Sequence, residues 1–427
     1  MGTQLPARVA AGDRTGDGDA SGAPRVARAT SPKLLQRLDD RSPERAARQA
    51  AEDLAAGIDG FSVIFQGAPN AFGHGLPATQ EALAAALRDV PLGRTHLRID
   101  VHPQSRASVD WLVRLLATRK IAPERLDISF GIDPAAIFAG TGVLRMSIEA
   151  LAASMPQSLA HYFVLGVPGV LLEADGRVFH NAGASDAQEL GIMLASTVGY
   201  LRMFEEARQP AIYAAAHVGF AVSVEQDRLA TAAKLAALHQ LWERMLASYG
   251  VPPLPVAVHA ESSYRMMTAA EPETNVVRAV LAAQGAIEAG ATTVTALPHD
   301  VALRLPDDVA RRRVRSALAV LGREGGAHAG LTPSDVAFAE RAAQLAEAGW
   351  QEMRRIDAEG GILRSLQDGR LQKRILATRD ARLAELGRAP HAPPLHRGRR
   401  EESGDAAAFC QRLDPVRWEE FSTAEAA

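Results

Sequence analysis

Residues 95–132 read THLRIDVHPQSRASVDWLVRLLATRKIAPERLDISFGI. Thr95 to Val101 alternates in polarity as a strand does. Ser108 to Leu116 has helical periodicity, and Leu126 to Ile132 is a second strand-like run. Strand, helix and strand in so short a stretch form a βαβ unit, the connection that a parallel sheet requires. The pattern repeats on both sides. Upstream, a helix over 44–56 precedes a strand over 60–66, and a helix spans 79–87. Downstream, helices over 147–154, 187–206, 226–248 and 275–288 alternate with strands. Those strands lie within 162–174 and 211–224, and over 254–260 and 292–297. Seven strands fall before residue 300, and a weak eighth is expected near Ala327 to Leu331. Eight βα units over this length predict an α/β fold of the (β/α)8 TIM-barrel type, with an open doubly wound sheet as the alternative. Further helices are expected over 312–323 and 334–355, with two shorter ones between Ile362 and Leu386.

The flanks differ. The first 33 residues are rich in Gly, Asp, Arg and Ala, lack apolar periodicity and read as a disordered N-terminal arm. The barrel domain is expected over 34–360 and a helical C-terminal extension over 361–388. A linker and tail over 389–427 ends in an amphipathic stretch, Phe409 to Phe421.

Composition narrows the function. The 427 residues carry 47 basic and 50 acidic side chains, a net charge of −3, which speaks against nucleic-acid binding. No apolar run suits a membrane span and no signal-peptide core is present, so the cytoplasm is the expected compartment. A single cysteine, Cys410, excludes an internal disulfide framework and cysteine-based metal sites. Arginine far outnumbers lysine, and runs such as 310–315 read as solvated helix faces.

Generic motifs lead nowhere specific. In Gly140-Thr141-Gly142-Val143-Leu144-Arg145, Arg145 stands where a dinucleotide fingerprint needs its third glycine, so this is a βα turn. No glycine precedes a lysine, so there is no P-loop. The histidines show neither H-E-x-x-H nor H-x-x-x-H, and no metal site is expected. Asp100-Val101-His102 begins like a D-x-H-x-x-G cobalt-ligand stretch, but Ser105 replaces the glycine. His259, Glu261 and Arg265 cluster after a strand, where barrel enzymes place their chemistry; they are the substrate-binding candidates, with His259 also a catalytic one.

One long signal is more specific. His259-Ala260-Glu261-Ser262-Ser263-Tyr264-Arg265-Met266-Met267-Thr268 leads to Asn275-Val276-Val277-Arg278 and then to GAIEAGATTVTALPHD at 285–300. Asp53–Gly57 before Gly60–Val63, Ala182–Ser185 before Gln188–Leu190, and Ala233–Leu235 with Leu241-Trp242 agree in order and spacing. So does Ile356–Gly361 with Arg374-Ile375. The chain from about 35 to 388 resembles the methylmalonyl-CoA mutase family. Gln36–Asp40, Phe72–Pro77 and Leu297–Asp300 look like the family's small subunits.

The resemblance implies a barrel that pairs with a large catalytic chain. That chain binds the acyl-CoA, carries adenosylcobalamin and performs the carbon-skeleton rearrangement. The catalytic histidine of large chains falls at Val178 here, with His180 two residues on. Their substrate-binding arginine falls at Val143, with Arg145 two residues on, and Asp133 stands in place of a glutamine. His180 and Arg145 are thus displaced candidates in a chain expected to lack catalytic residues and to bind no cofactor alone. No cobalamin domain is expected after the barrel. Two other readings stay open: an acyl-CoA mutase barrel served by a separate cobalamin protein, and a stand-alone acyl-CoA-binding or scaffold barrel.

Overall fold

The computed structural model describes residues 32–324, 336–389 and 407–421. Eight parallel strands form the sheet: β1 (Lys33–Leu38), β2 (Gly60–Val63), β3 (His96–Ile99), β4 (Asp127–Phe130), β5 (Leu172–Asp175), β6 (Val218–Val224), β7 (Ala257–Ser262) and β8 (Thr293–Thr295). Their order is β4-β3-β2-β1-β8-β7-β6-β5. The first and last strands approach through one parallel bridge, Ser129 to Val170, where the Phe130 N–H donates to the Val170 carbonyl at 2.9 Å. The sheet is a nearly closed (β/α)8 barrel with helices around it.

The period of two sorts the strand side chains. Phe61, Val63, Leu97, Ile99, Ile128 and Phe130 join the apolar core shared with the helices. The alternate residues face the barrel axis, and register stacks them into layers: Arg37, Ser62, Arg98 and Ser129 are Cα partners across β1 to β4. The helices start where capping residues predict. Ser185 closes a capping box with Gln188 on the helix Asp186–Glu206, and Asp227 caps Arg228–Ser248. The helix Val336–Ala358 packs across these two.

Several expectations shift. The eighth strand is β1, at the start of the barrel; the segment near 327–331 lies outside the described residues, as does the arm up to residue 31. In KLLQRL the inward positions hold Leu35 and Arg37, so β1 lacks the apolar-and-small pattern of an ordinary core strand. Tyr162 belongs to a helix, Ile148–Val164, and the strand expected there is only Leu172–Asp175. Alanine-rich 211–215 is helical, which shortens the strand expected over 211–224 to Val218–Val224. Among the described residues no helix is long and apolar enough to cross a membrane.

After helices Ile362–Gln367 and Arg370–Glu385, residues 407–421 return as a strap over the C-terminal ends of the strands. Ala408-Phe409 pairs antiparallel with Val143-Leu144. The N–H groups of Cys410, Leu413 and Val416 donate to the carbonyls of Gly142, Ala139 and Asn181 at 3.0, 2.7 and 2.8 Å.

Candidate functional site

The interior of this barrel is ionic. Arg98 spans from β3 to Glu173 on β5, with Nε to Oε1 at 3.2 Å, and also donates to Ser62 Oγ at 3.2 Å. Arg177, just past β5, donates to Asp100 and Asp175 at 2.6 Å each and to Glu261 on β7 at 3.1 Å. Arg37 on β1 reaches the other Glu261 oxygen at 2.9 Å, Asp39 at 3.1 Å and the Asn70 carbonyl at 2.8 Å. Arg311 completes the set on Asp39 at 2.6 Å. Arg37, Arg98 and Arg177 are each at most 1% exposed. Their bonds fill the inside of the barrel, joining strands that are not neighbours: β3 with β5, β5 with β7 and β7 with β1.

Charge balance explains how these groups titrate. Four guanidiniums, of Arg37, Arg98, Arg177 and Arg311, face five carboxylates, of Asp39, Asp100, Glu173, Asp175 and Glu261. Burial opposes ionisation of Asp39, Asp100, Glu173 and Asp175. At Asp39 the Arg311 and Arg37 charges overcome it, and at Asp100 those of Arg177 and Arg98 do, so both stay far below the usual carboxylate range. At Glu173 and Asp175 burial wins and the carboxyls are pushed up, as expected with one carboxylate in excess.

His259 lies in the layer beneath. Its Nδ1 is 2.9 Å from Thr293 Oγ1 and its Nε2 has no partner among the described residues. Burial, helped by the Arg98 and Arg177 charges, holds the imidazole far below its ordinary value, so it is neutral. Glu261 belongs to the ionic cluster. His180 and Arg265 meet behind it. His180 Nδ1 is 3.0 Å from Glu189 and its Nε2 is 2.9 Å from Ser263 Oγ, while Arg265 donates to the His180 carbonyl at 3.0 Å. Lys234 sits on Glu189 and donates to Asp186 at 2.9 Å and to the Ser223 carbonyl at 2.8 Å. Burial again opposes ionisation of Glu189, but Lys234 and His180 bring it down to about 2. His180, Asp186 and Glu189 hold ligand atoms within 4.8 Å of one another, as a metal trio would, yet the Lys234 ammonium already supplies the cation.

The other candidates are scattered. Val178 is buried in the one-turn helix Arg177–Asn181, and Val143 is bound to the strap. Asp133 caps the helix Pro134–Thr141 and also accepts from the Asp175 N–H at 2.9 Å; burial pushes it up to about 7. Arg145 is exposed and stands apart from His180. His102 is sealed against Phe65, with ring centroids 4.6 Å apart, and against Trp111, so the D-x-H stretch does not fit a cobalt ligand.

Above the cluster the strap roofs a cavity of about 730 Å³ between the loop 66–74 and Arg412–Pro415. Phe72 and Tyr264 stack there at 4.0 Å, with Phe72 in the left-handed region at φ 50°. Arg417 lies over the Tyr264 ring and Arg265 over Trp418. Sequence reasoning gave no site role to Arg37, Arg98, Arg177, Asp100, Glu173, Asp175 or Lys234. A signal was present: Arg37-Leu38-Asp39, Arg98-Ile99-Asp100 and Glu173-Ala174-Asp175 each repeat charge at a spacing of two across an apolar residue.

The comparisons with known proteins agree with one another. The family model for methylmalonyl-CoA mutase matches residues 41–389. A methylmalonyl-CoA mutase small subunit of Streptomyces virginiae is 32% identical over 359 residues, covering 83% of this chain and 56% of that one. The small subunit of Propionibacterium freudenreichii subsp. shermanii is 28% identical over 304 residues, 69% of this chain and 46% of that one. The large subunit from Streptomyces virginiae is 26% identical over 226 residues, 51% and 31% of the two chains. The chain spans about half the length of the small subunits that it matches.

Proposed function

The chain belongs to the methylmalonyl-CoA mutase family, and from this premise we propose that it acts as a small, non-catalytic subunit. Its partner is a large mutase chain that binds the acyl-CoA. Adenosylcobalamin, bound to that partner, supplies the radical chemistry. The present chain stabilises or positions the partner.

One observation carries this reading: Arg177 ties Asp100, Asp175 and Glu261 together inside the barrel, linking the ends of β3, β5 and β7. An acyl-CoA threading the barrel would have to part these charges. Breaking a buried pair leaves an uncompensated ion at a cost of about 3–5 kcal/mol. The other requirement of such a substrate is a bidentate cation for its free carboxylate. The cluster guanidiniums are already bound to the chain's own acids.

The test is co-expression with a large methylmalonyl-CoA mutase chain. A stable heterodimer in size-exclusion chromatography is the expected result. Separate elution at micromolar concentration overturns the pairing. Tight binding of methylmalonyl-CoA to the isolated chain overturns the non-catalytic assignment in favour of an acyl-CoA barrel.

A further inference from the structure

A second cavity lies outside the strap, on the flank of the C-terminal face, and the preceding reading makes no use of it. It encloses about 640 Å³ between the start of the helix Ser105–Arg119, the helix Pro134–Thr141 and the segment 143–151. This is the size of a small-molecule site. Its wall is apolar, formed by Ile132, Ile137, Met146 and Leu151 among others. Among the described residues its charged lining residues are Arg106 and Arg145, and no carboxylate lines it.

The two arginines differ in a telling way. Arg106 is anchored: it donates to Ser154 Oγ at 3.1 Å and to Ser158 Oγ. Those bonds hold the guanidinium in place without neutralising its charge. Arg145 has no hydrogen bond and no ion pair among the described residues. The helix beginning at Ser105 has no side-chain cap, so the positive end of its dipole also faces this cleft. An apolar cavity with uncompensated positive charge at its rim selects a ligand with an apolar body and an anionic head.

We propose that this cleft binds an anionic amphipath. A carboxylate or phosphate head is held by Arg145 beside Arg106, and an aliphatic tail lies against Ile132, Ile137, Met146 and Leu151. The site stands apart from the barrel axis and does not depend on the subunit assignment.

Octanoate and octyl phosphate are the probes for the two head groups, with octanol as the neutral control, each titrated by calorimetry into the full chain. Either anion should bind, and the tighter one identifies the head. Octanol should bind about tenfold more weakly or worse, the least that one charge-assisted contact is worth. Arg145→Gln, at an exposed position, should weaken the anion by a similar factor without changing the melting temperature. Leu151→Trp should block the tail. The proposal is overturned if neither anion binds at millimolar concentration. It is equally overturned if octanol binds as well as the anions, or if Arg145→Gln leaves affinity unchanged.

Discussion

Arg177 and Asp100 meet at 2.6 Å inside the barrel, one just after β5 and the other just after β3. This contact joins two arcs of a sheet whose backbone ladder barely closes between β4 and β5. Arg177→Met should therefore cost about 3–5 kcal/mol, because Asp100, Asp175 and Glu261 would remain buried without it. Urea denaturation measures this. A loss under about 1 kcal/mol would show that water or relaxation replaces the guanidinium.

Lys234 should behave as a built-in cation. Lys234→Ala removes the charge that holds Glu189 and Asp186 near His180, and a loss of about 3–5 kcal/mol is expected. The emptied trio then has suitable ligands for zinc, so added zinc should raise the melting temperature of Lys234→Ala more than that of the unsubstituted chain. Equal responses of the two proteins would contradict this account.

His102 makes stability depend on pH. Burial holds its imidazole down to about 3, against an ordinary value of 6.5. Between these values the unfolded chain binds the proton and the folded chain does not. Stability from this group is present above 6.5 and is lost as pH falls toward 3, at about 1.4 kcal/mol per pH unit. His102→Phe keeps a ring against Phe65 and Trp111 and removes the titration. Its stability should fall less steeply over pH 6.5 to 4 in urea titrations at several pH values; an unchanged slope refutes the assignment.

Cys410 reports on the strap. The thiol is buried, lies 3.2 Å from the Phe138 carbonyl, and is pushed up to about 12 by burial. It should react slowly with a disulfide reagent in the native protein. Trp418 over Arg265 and Glu419 on the Ala269 N–H anchor the far end of the strap. Replacing both Trp418 and Glu419 with alanine should speed modification on the order of tenfold by local opening. Equal rates would mean that residues 408–416 hold the strap alone.

The barrel was legible in the sequence because its outward strand positions are strongly apolar and its helices are capped. The helices expected over 187–206 and 226–248 are found at Asp186–Glu206 and Arg228–Ser248. The first strand escaped notice because its inward residue is Arg37, and a charge inside a strand reads as surface until its partners are known. Those partners are distant: Glu261 lies 224 residues away. Only the ladder register could place them. The strap was invisible for a similar reason, since Ala408 and Phe409 become a strand only against Val143 and Leu144. His180 and Arg265 came together as neighbours, although through a backbone carbonyl, whereas Arg145 faces a different cleft.

The seam at Ser129 and Val170 has a mechanical consequence. A barrel is a hoop, and this hoop has one joint where a single bridge stands in for a ladder. Arg98 with Glu173 and Arg177 with Asp100 lie inside that joint like rivets, each binding a stave from one side to a stave from the other. Backbone ladders hold everywhere along the circumference except there, and there the closure depends on charge. The curvature of the molecule is thus kept at its weakest point by groups that salt, acid or a single methylene too few can loosen.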